Sequence, residues 1–430
     1  MRTFIFNARL VDEKTDERGS IIIDNGKIEK IFFYRGDNPG ITDAVNTDIA
    51  SCELHINAGG KALLPSFIDM HAHFRYPGQT EKEDLDSGLK AASAGGYTTV
   101  VLMPNTNPVI SSQEEAASVM QKAETNGTAK VYQTVSITKR FDGSSIDHLN
   151  GLSKDSVPVV TEDGKDVASC EVMKLAMSVC AQKKIIVSCH CEKNEYVSAA
   201  KKFRDEGNYR KAEKILRKAE DEATKRNLDL AIETDCPIHI AHCSTKKSLQ
   251  FVIKAQRKER YEGQVSCEIT PHHACLSYEM KGLNKELVNP PLRKNKDRYA
   301  LIKALAKEKN IMIGTDHAPH TLDDKRNGAC GFSGIETAFS LCYTTLVLGN
   351  KVDLKRLSTL MSAEPARRLG LNKGLIKTGM DADLVLVDLN ESYTVQPEKF
   401  FSKGKYTPLS GKKLFGIICK TFYKGNVVYE

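Results

Sequence analysis

Leu63-Leu64-Pro65-Ser66-Phe67-Ile68-Asp69-Met70-His71-Ala72-His73 is a short apolar run that ends in two histidines. In an extended segment residues i and i+2 point to the same side, so both imidazoles can face one metal ion. Alone the pair says little, because His-x-His also arises by chance on surfaces. Its weight comes from what matches it downstream. Val159-Val160-Thr161-Glu162 runs into Asp163, Ile185-Ile186-Val187-Ser188-Cys189 into His190, Ile238-His239-Ile240-Ala241 into His242, and Ile311-Met312-Ile313-Gly314-Thr315 into Asp316.

Around these runs, from Ala62 to about Gly370, short apolar strands alternate with amphipathic helices, the signature of parallel βα units. Eight strands are expected, ending near His71, Met103, Ser136, Glu162, His190, His242, Thr270 and Thr315. Intervening helices are expected over Glu81 to Ala94, Glu171 to Gln182, Ala212 to Glu233 and Asp297 to Lys309. Eight such units predict a closed, TIM-like (β/α)8 barrel, with an open doubly wound sheet as the alternative. In a barrel the active site lies at the carboxyl ends of the strands. Four histidines and two aspartates would then converge on one mouth, a coincidence that isolated core histidines do not explain.

The flanks read differently. Thr3 to Leu10, Ser20 to Ile23 and Ile28 to Phe33 are short alternating stretches, with Asn25-Gly26 as a hairpin signal between the last two. Asp383 to Asp388 and Thr421 to Val428, the latter split at Lys424-Gly425-Asn426, behave alike. The expected divisions are 1–61 and 371–430 as β-rich flanks and 62–370 as the barrel. The charged stretch Glu195 to Lys225 is read as a solvated helical hairpin or lid.

Composition narrows the class. Sixty-two basic and 55 acidic side chains leave +7, spread over lysine-rich helix faces such as Lys211 to Lys218, and Trp is absent. That is not the concentrated basic stripe of a nucleic-acid binder, and it is compatible with a small anionic substrate. No apolar run approaches the ~20 residues of a membrane span, and the start of the chain lacks an export-type apolar region. The cytoplasm is therefore the expected compartment, with the twelve cysteines mostly reduced.

Imidazole nitrogen combined with carboxylate oxygen suits zinc or a similar divalent ion. Such an ion lowers the pKa of bound water to about 7, and Asp316 beside that water could accept its proton and return it to a leaving nitrogen. This is the chemistry of metal-assisted amide hydrolysis.

Four ordered motifs then carry a resemblance that covers nearly the whole chain. Pro65-Ser66-Phe67-Ile68-Asp69-Met70-His71-Ala72-His73-Phe74-Arg75-Tyr76-Pro77-Gly78, Gly95 to Val100 leading to Met103-Pro104-Asn105-Thr106, Asn289-Pro290-Pro291-Leu292-Arg293, and Thr315-Asp316-His317-Ala318-Pro319-His320 resemble the signatures of bacterial-type, long-chain dihydroorotases of the amidohydrolase superfamily. The resemblance implies a metallo-dependent hydrolase barrel with a small β-sandwich domain formed by both termini. It implies His71, His73, Asp163, His190, His242 and Asp316 as metal ligands, holding two zinc ions per subunit bridged by hydroxide and Asp163, with Asp316 as general acid and base. Arg75 would hold the substrate carboxylate as a bidentate pair, helped by Asn105 and His320. Asn289 and the backbone at Cys330-Gly331 would meet the ureide edge of the ring.

Three positions depart from the family pattern: Glu162 stands where a second aspartate is usual, Lys193 follows Cys191-Glu192, and Cys330 replaces an aromatic. The nearest rivals are dihydropyrimidinase, hydantoinase and allantoinase, which usually bridge their metals with a carboxylated lysine on the fourth strand. Here that strand ends in Glu162-Asp163. A catalytically dead scaffold is the rival from another class, and all six ligand positions are filled. The expected reaction is reversible hydrolysis of (S)-dihydroorotate to N-carbamoyl-L-aspartate. Neither nucleic acid nor membrane is expected as a partner, and a homodimer is the assembly to test.

Overall fold

The computed structural model describes residues 1–34, 43–258 and 263–430. The chain opens with an antiparallel meander of β1 (Thr3–Val11), β2 (Asp16–Asp24) and β3 (Lys27–Phe33). Asn25 and Gly26 take φ of 47° and 73° between the last two, the positive-φ pair that a tight hairpin requires. β4 (Leu54–Asn57) and β5 (Ala62–Pro65) then run parallel to β1.

Eight short strands follow: β6 (Phe67–Ala72), β7 (Tyr97–Leu102), β8 (Lys130–Gln133), β9 (Val159–Thr161), β10 (Ile186–Cys189), β11 (Ile238–Ile240), β12 (Val265–Ile269) and β13 (Ile311–Ile313). They pair in parallel as two arcs, β6 to β8 and β9 to β13. Two isolated bridges, Val135 to Val160 and Ala72 to His317, close the arcs into a ring. The second seam is reinforced by the His73 N–H donating to His317 O at 2.8 Å. The expected closed (β/α)8 barrel is the observed one, and the open sheet is excluded.

β14 (Leu384–Thr394), β15 (Lys413–Tyr423) and β16 (Asn426–Tyr429) complete the terminal domain. β14 pairs with β5, giving the order β16-β15-β14-β5-β1-β2-β3 and joining the two ends of the chain in one β-sandwich. Its core draws Ile5, Ile21, Leu63, Leu384 and Phe422 from both ends. Ala62–Pro65, on the barrel side of the expected boundary at 61, thus belongs by pairing to the terminal sheet.

The barrel strands are mainly apolar because both of their faces are covered; β6, β7, β10 and β12 are buried at every residue. Phe67 anchors this packing, stacked on Phe339 at 5.0 Å and edge-on to Tyr97 at 5.5 Å. Helix positions follow the sequence with shifted ends. The first begins at Leu85 rather than Glu81, because Asp84 accepts the Ser87 N–H while Ser87 Oγ accepts the Asp84 N–H, a reciprocal cap that fixes the start.

The charged stretch after β10 is a helical hairpin, Asn194–Asp205 and Tyr209–Thr234, turned at Gly207 and capped by Asn208. Its second helix buries Leu216, Ala219, Glu220 and Ala223, so only one face is solvated. All twelve cysteines are free. Among the described residues no helix is long and apolar enough to cross a membrane.

Candidate active site

The strand ends deliver the polar residues to one place. His71 and His73 leave β6, Asp163 follows β9, His190 follows β10, His242 follows β11 and Asp316 follows β13; all six are buried. Asp163 sits at the centre. Its Oδ1 lies 3.3 Å from His71 Nε2, 3.4 Å from His190 Nδ1 and 3.8 Å from His242 Nε2, and its Oδ2 lies 3.5 Å from His73 Nε2. Asp316 Oδ1 lies 3.2 Å from His73 Nε2 and 3.6 Å from His71 Nε2. His242 and Asp316 reach these positions with φ of 33° and 49°, strained values for residues with a side chain.

Two ligand groups share Asp163: His71 and His73 on one side, His190 and His242 on the other. Two buried atoms at this centre, His71 Nε2 and Asp163 Oδ1, have no hydrogen-bond partner. Buried polar atoms are rarely left so, and nitrogen and carboxylate oxygen converging in this way form a donor set that fits a metal cofactor.

A second ring of residues fixes the first. Glu268, at the end of β12, accepts from His71 Nδ1 at 2.6 Å and from the His242 N–H at 3.1 Å. Glu192 accepts from His190 Nε2 at 3.0 Å. Asn105 places its carbonyl 2.9 Å from His73 Nδ1 and donates to Asp163 Oδ2 at 3.2 Å. Asp69 accepts the backbone N–H of Thr315 at 2.8 Å and of His71 at 3.2 Å, tying β6 to the chain entering Asp316. Such partners set which imidazole nitrogen faces the metal. Glu268 went unrecognised in the sequence; its one signal is a carboxylate inside the otherwise uncharged Val265–Ile269.

The electrostatics favour a cation. Burial works against charge on His190, yet hydrogen bonds to Asp163 and Glu192 hold its pKa up at about 10. His71 is likewise raised against burial, by Asp163 and Glu268, while Asp163 is held well below the usual carboxylate range by His71 and the neighbouring rings. A field that would protonate imidazoles is one that attracts a divalent ion.

Two of the three departures from the family pattern turn away from this centre. Glu162 accepts from the Thr138 N–H at 2.9 Å and from the Thr138 hydroxyl, so both its oxygens are engaged elsewhere. Lys193 pairs with Glu222 at 2.9 Å on the hairpin.

The expected substrate residues lie on the rim. β6 ends at Ala72, so alternation does not reach Arg75; a φ of 55° turns it instead. Its Nε donates to Pro319 O at 3.3 Å and its Nη2 lies 3.3 Å from His320 Nε2. Arg75 is buried, and among the described residues no carboxylate lies within ion-pair distance of it. Burial, with Arg75 beside it, holds the His320 pKa down at about 3, so the ring is neutral and its Nε2 meets Cys330 O at 2.9 Å. The Gly331 N–H donates to Leu287 O at 3.0 Å, and Lys325 Nζ donates to Leu287 O at 3.1 Å and Gly331 O at 2.8 Å. These contacts tie the 320–333 loop to the loop carrying Asn289. Of the histidines given no site role, His239 and His273 are buried and bonded, to Glu268 at 3.1 Å and to Pro290 O at 3.0 Å.

Comparison with known proteins agrees with this geometry. The amidohydrolase family pattern matches residues 62–428. A dihydroorotase of Clostridium botulinum (strain Eklund 17B / Type B) is 38% identical over the whole of both chains. One from Caldanaerobacter subterraneus subsp. tengcongensis is 37% identical over all of this chain and 98% of its own length. Among solved structures, an L-hydantoinase (dihydropyrimidinase) from Arthrobacter aurescens superposes with a TM-score of 0.86 at 24% identity, covering 100% of this chain and 96% of that one. A dihydropyrimidinase from Brevibacillus agri does so at 0.84 and 23%, covering 100% and 95%. At such identities the structural likeness concerns the barrel and sandwich alone.

Proposed function

Since the chain belongs to the amidohydrolase family and, within it, to the dihydroorotases, we propose that it catalyses the reversible hydrolysis of (S)-dihydroorotate to N-carbamoyl-L-aspartate, a step of pyrimidine synthesis. The observation that carries the substrate is Arg75, a buried guanidinium beside the histidine–aspartate cluster that has no carboxylate partner among the described residues. A buried charge needs a counter-charge, and the carboxylate of a ring seated over the cluster supplies it.

His71, His73, Asp163, His190, His242 and Asp316 would hold two zinc ions, Asp163 being common to both ligand groups. When bound, these supply a water of lowered pKa and a Lewis-acidic pull on a carbonyl. Arg75 orients the ring by its carboxylate through a planar fork, with His320 as a neutral neighbour and Asn105 behind His73. Asn289 meets the ureide edge, and the Cys330-Gly331 backbone closes that side. Asp316 is held below the usual carboxylate range, burial being outweighed by His73 and the other rings, so it is ionised and can accept a proton on its free oxygen. That proton then passes to the ring nitrogen as its bond to the attacked carbon breaks, leaving a carbamoyl NH2 and a new carboxylate.

We assign residues 62–370 to catalysis, apart from the strand Ala62–Pro65 that pairs into the terminal sheet, and 1–61 with 371–430 to the companion domain, place the protein in the cytoplasm, and expect a homodimer. The deciding experiment is turnover in both directions after chelation and after zinc is restored, against a panel of cyclic amides. Dihydroorotate should be consumed only by the metal-loaded protein. Turnover of dihydrouracil or hydantoin with none of dihydroorotate would overturn the reading.

A further inference from the structure

Arg204 lies in the last turn of the first hairpin helix, and its guanidinium spans the gap to two loops of the barrel mouth. Nη1 and Nη2 both donate to Asn289 Oδ1, at 3.3 and 3.2 Å, and Nη1 lies 3.7 Å from Cys330 Sγ. Among the described residues no carboxylate lies within ion-pair distance of it. The long charged side chain is thus directed at a neutral amide rather than at the acidic groups of its own hairpin.

The backbone around Asn289 is secured without Arg204. His273 Nε2 donates to Pro290 O at 3.0 Å, and the Gly331 N–H holds Leu287 O at 3.0 Å. Arg293 pairs with Glu220 of the second hairpin helix at 2.9 Å, and Arg217 of that helix pairs with Asp297 at 2.7 Å. What remains free is rotation of the Asn289 amide. A side-chain amide has one accepting end and one donating end, whereas a guanidinium only donates. A fork resting on Oδ1 therefore fixes the amide in one sense, since the flipped amide would set NH2 against NH2.

We propose that Arg204 is a positioning residue for the substrate: it holds Asn289 with its NH2 end free to donate to the ureide carbonyl of the ring. The proposal rests on the dihydroorotase reading and deepens it, because it assigns the hairpin a part in recognising the cyclic ureide, separate from the carboxylate held by Arg75. An unfixed amide would sample both senses, and one of them offers an acceptor to an acceptor. The loss falls on binding of the ring, hence on KM.

The test is a double-mutant cycle on the metal-loaded full chain with Arg204→Gln, Arg204→Lys and Asn289→Ala, read as kcat and KM for dihydroorotate and as dihydroorotate binding by calorimetry. Arg204→Gln should raise KM about 10-fold, the scale of one hydrogen bond to a charged group, with kcat little changed. Arg204→Lys, which still only donates, should recover part of that. The double variant should be no worse than Asn289→Ala alone, with metal content and Tm at wild-type values for Arg204→Lys. Additive losses, an unchanged KM in Arg204→Gln, or a Lys variant no better than Gln would overturn the proposal alone. A wild-type protein that neither binds nor turns over dihydroorotate would overturn both this and the reading beneath it.

Discussion

Glu268 Oε1 lies 2.6 Å from His71 Nδ1, and that same oxygen receives the His242 backbone N–H at 3.1 Å. One fully buried carboxylate thereby sets the orientation of a histidine from each of the two ligand groups. The pocket around it is tight: a side chain at Gly314 would place its Cβ 2.4 Å from Glu268 Oε2. Glu268→Gln keeps the volume and removes the charge. It should lower metal affinity by about 10- to 100-fold, the usual effect of losing a ligand's orienting partner. Metal retained after dialysis against a graded chelator measures this, and an unchanged retention curve would refute it.

Asp163 and Glu162 are adjacent in sequence but face different surroundings, one four imidazoles and the other Thr138. Asp163→Asn should abolish stoichiometric metal binding and turnover. Glu162→Gln should keep both near wild type. Elemental analysis of the two purified variants is sufficient, and metal loss in the second would make Glu162 rather than Asp163 the metal-holding carboxylate of this pair.

Arg75 is expected to contribute through charge and fork geometry together. Arg75→Gln should raise the dihydroorotate KM about 10- to 100-fold, the worth of a charge-assisted pair of about 1.5–3 kcal/mol. Arg75→Lys should recover only part of it, because an ammonium does not match a carboxylate at two points. A neutral ring such as dihydrouracil should be indifferent to either change. Equal losses on both rings would mean that Arg75 supports the loop and not the carboxylate.

Glu336 predicts a pH dependence outside the metal site. Its carboxylate accepts the N–H groups of Phe401 and Ser402 at 3.0 and 3.1 Å where barrel and terminal domain meet, yet burial pushes its pKa up from 4.5 to about 7. The folded state therefore holds this proton more tightly than the unfolded chain does. The resulting stability is complete below about pH 4.5 and is lost as pH rises through about 7. A gap of this size is worth about 3 kcal/mol at most. Denaturant unfolding of wild type and Glu336→Gln should show the wild type losing ground to the variant between pH 5 and pH 9. Parallel curves would count against it.

What could be read in the sequence was whatever repeats locally. Apolar strands ending in His71, Asp163, His190, His242 and Asp316 share one pattern, and that pattern alone implies a barrel with a polar mouth. Strand alternation does not account for where Arg75 lies, since the strand stops at Ala72 and a left-handed residue makes the turn. Glu268 and Asn105 were harder because their meaning lies in partners 197 and 32 residues away, and no local period encodes such a contact. The pairing of Ala62–Pro65 with β1 and β14 was hidden for the same reason: the strand directly precedes β6 in the chain while its hydrogen bonds point to both termini.

The Ala72–His317 seam has one further consequence. His73 and Asp316 stand 243 residues apart and meet where the first and last barrel strands close on each other. A chain whose ring is still open holds the His71 side of the ligand set but not Asp316, so ligand geometry is complete only when the most distant contact has formed. Contacts of such long range are the slow ones in folding. Uptake of metal during refolding is then a clock for topological completion, and a time course in which it trails the recovery of helical signal would record the ring closing.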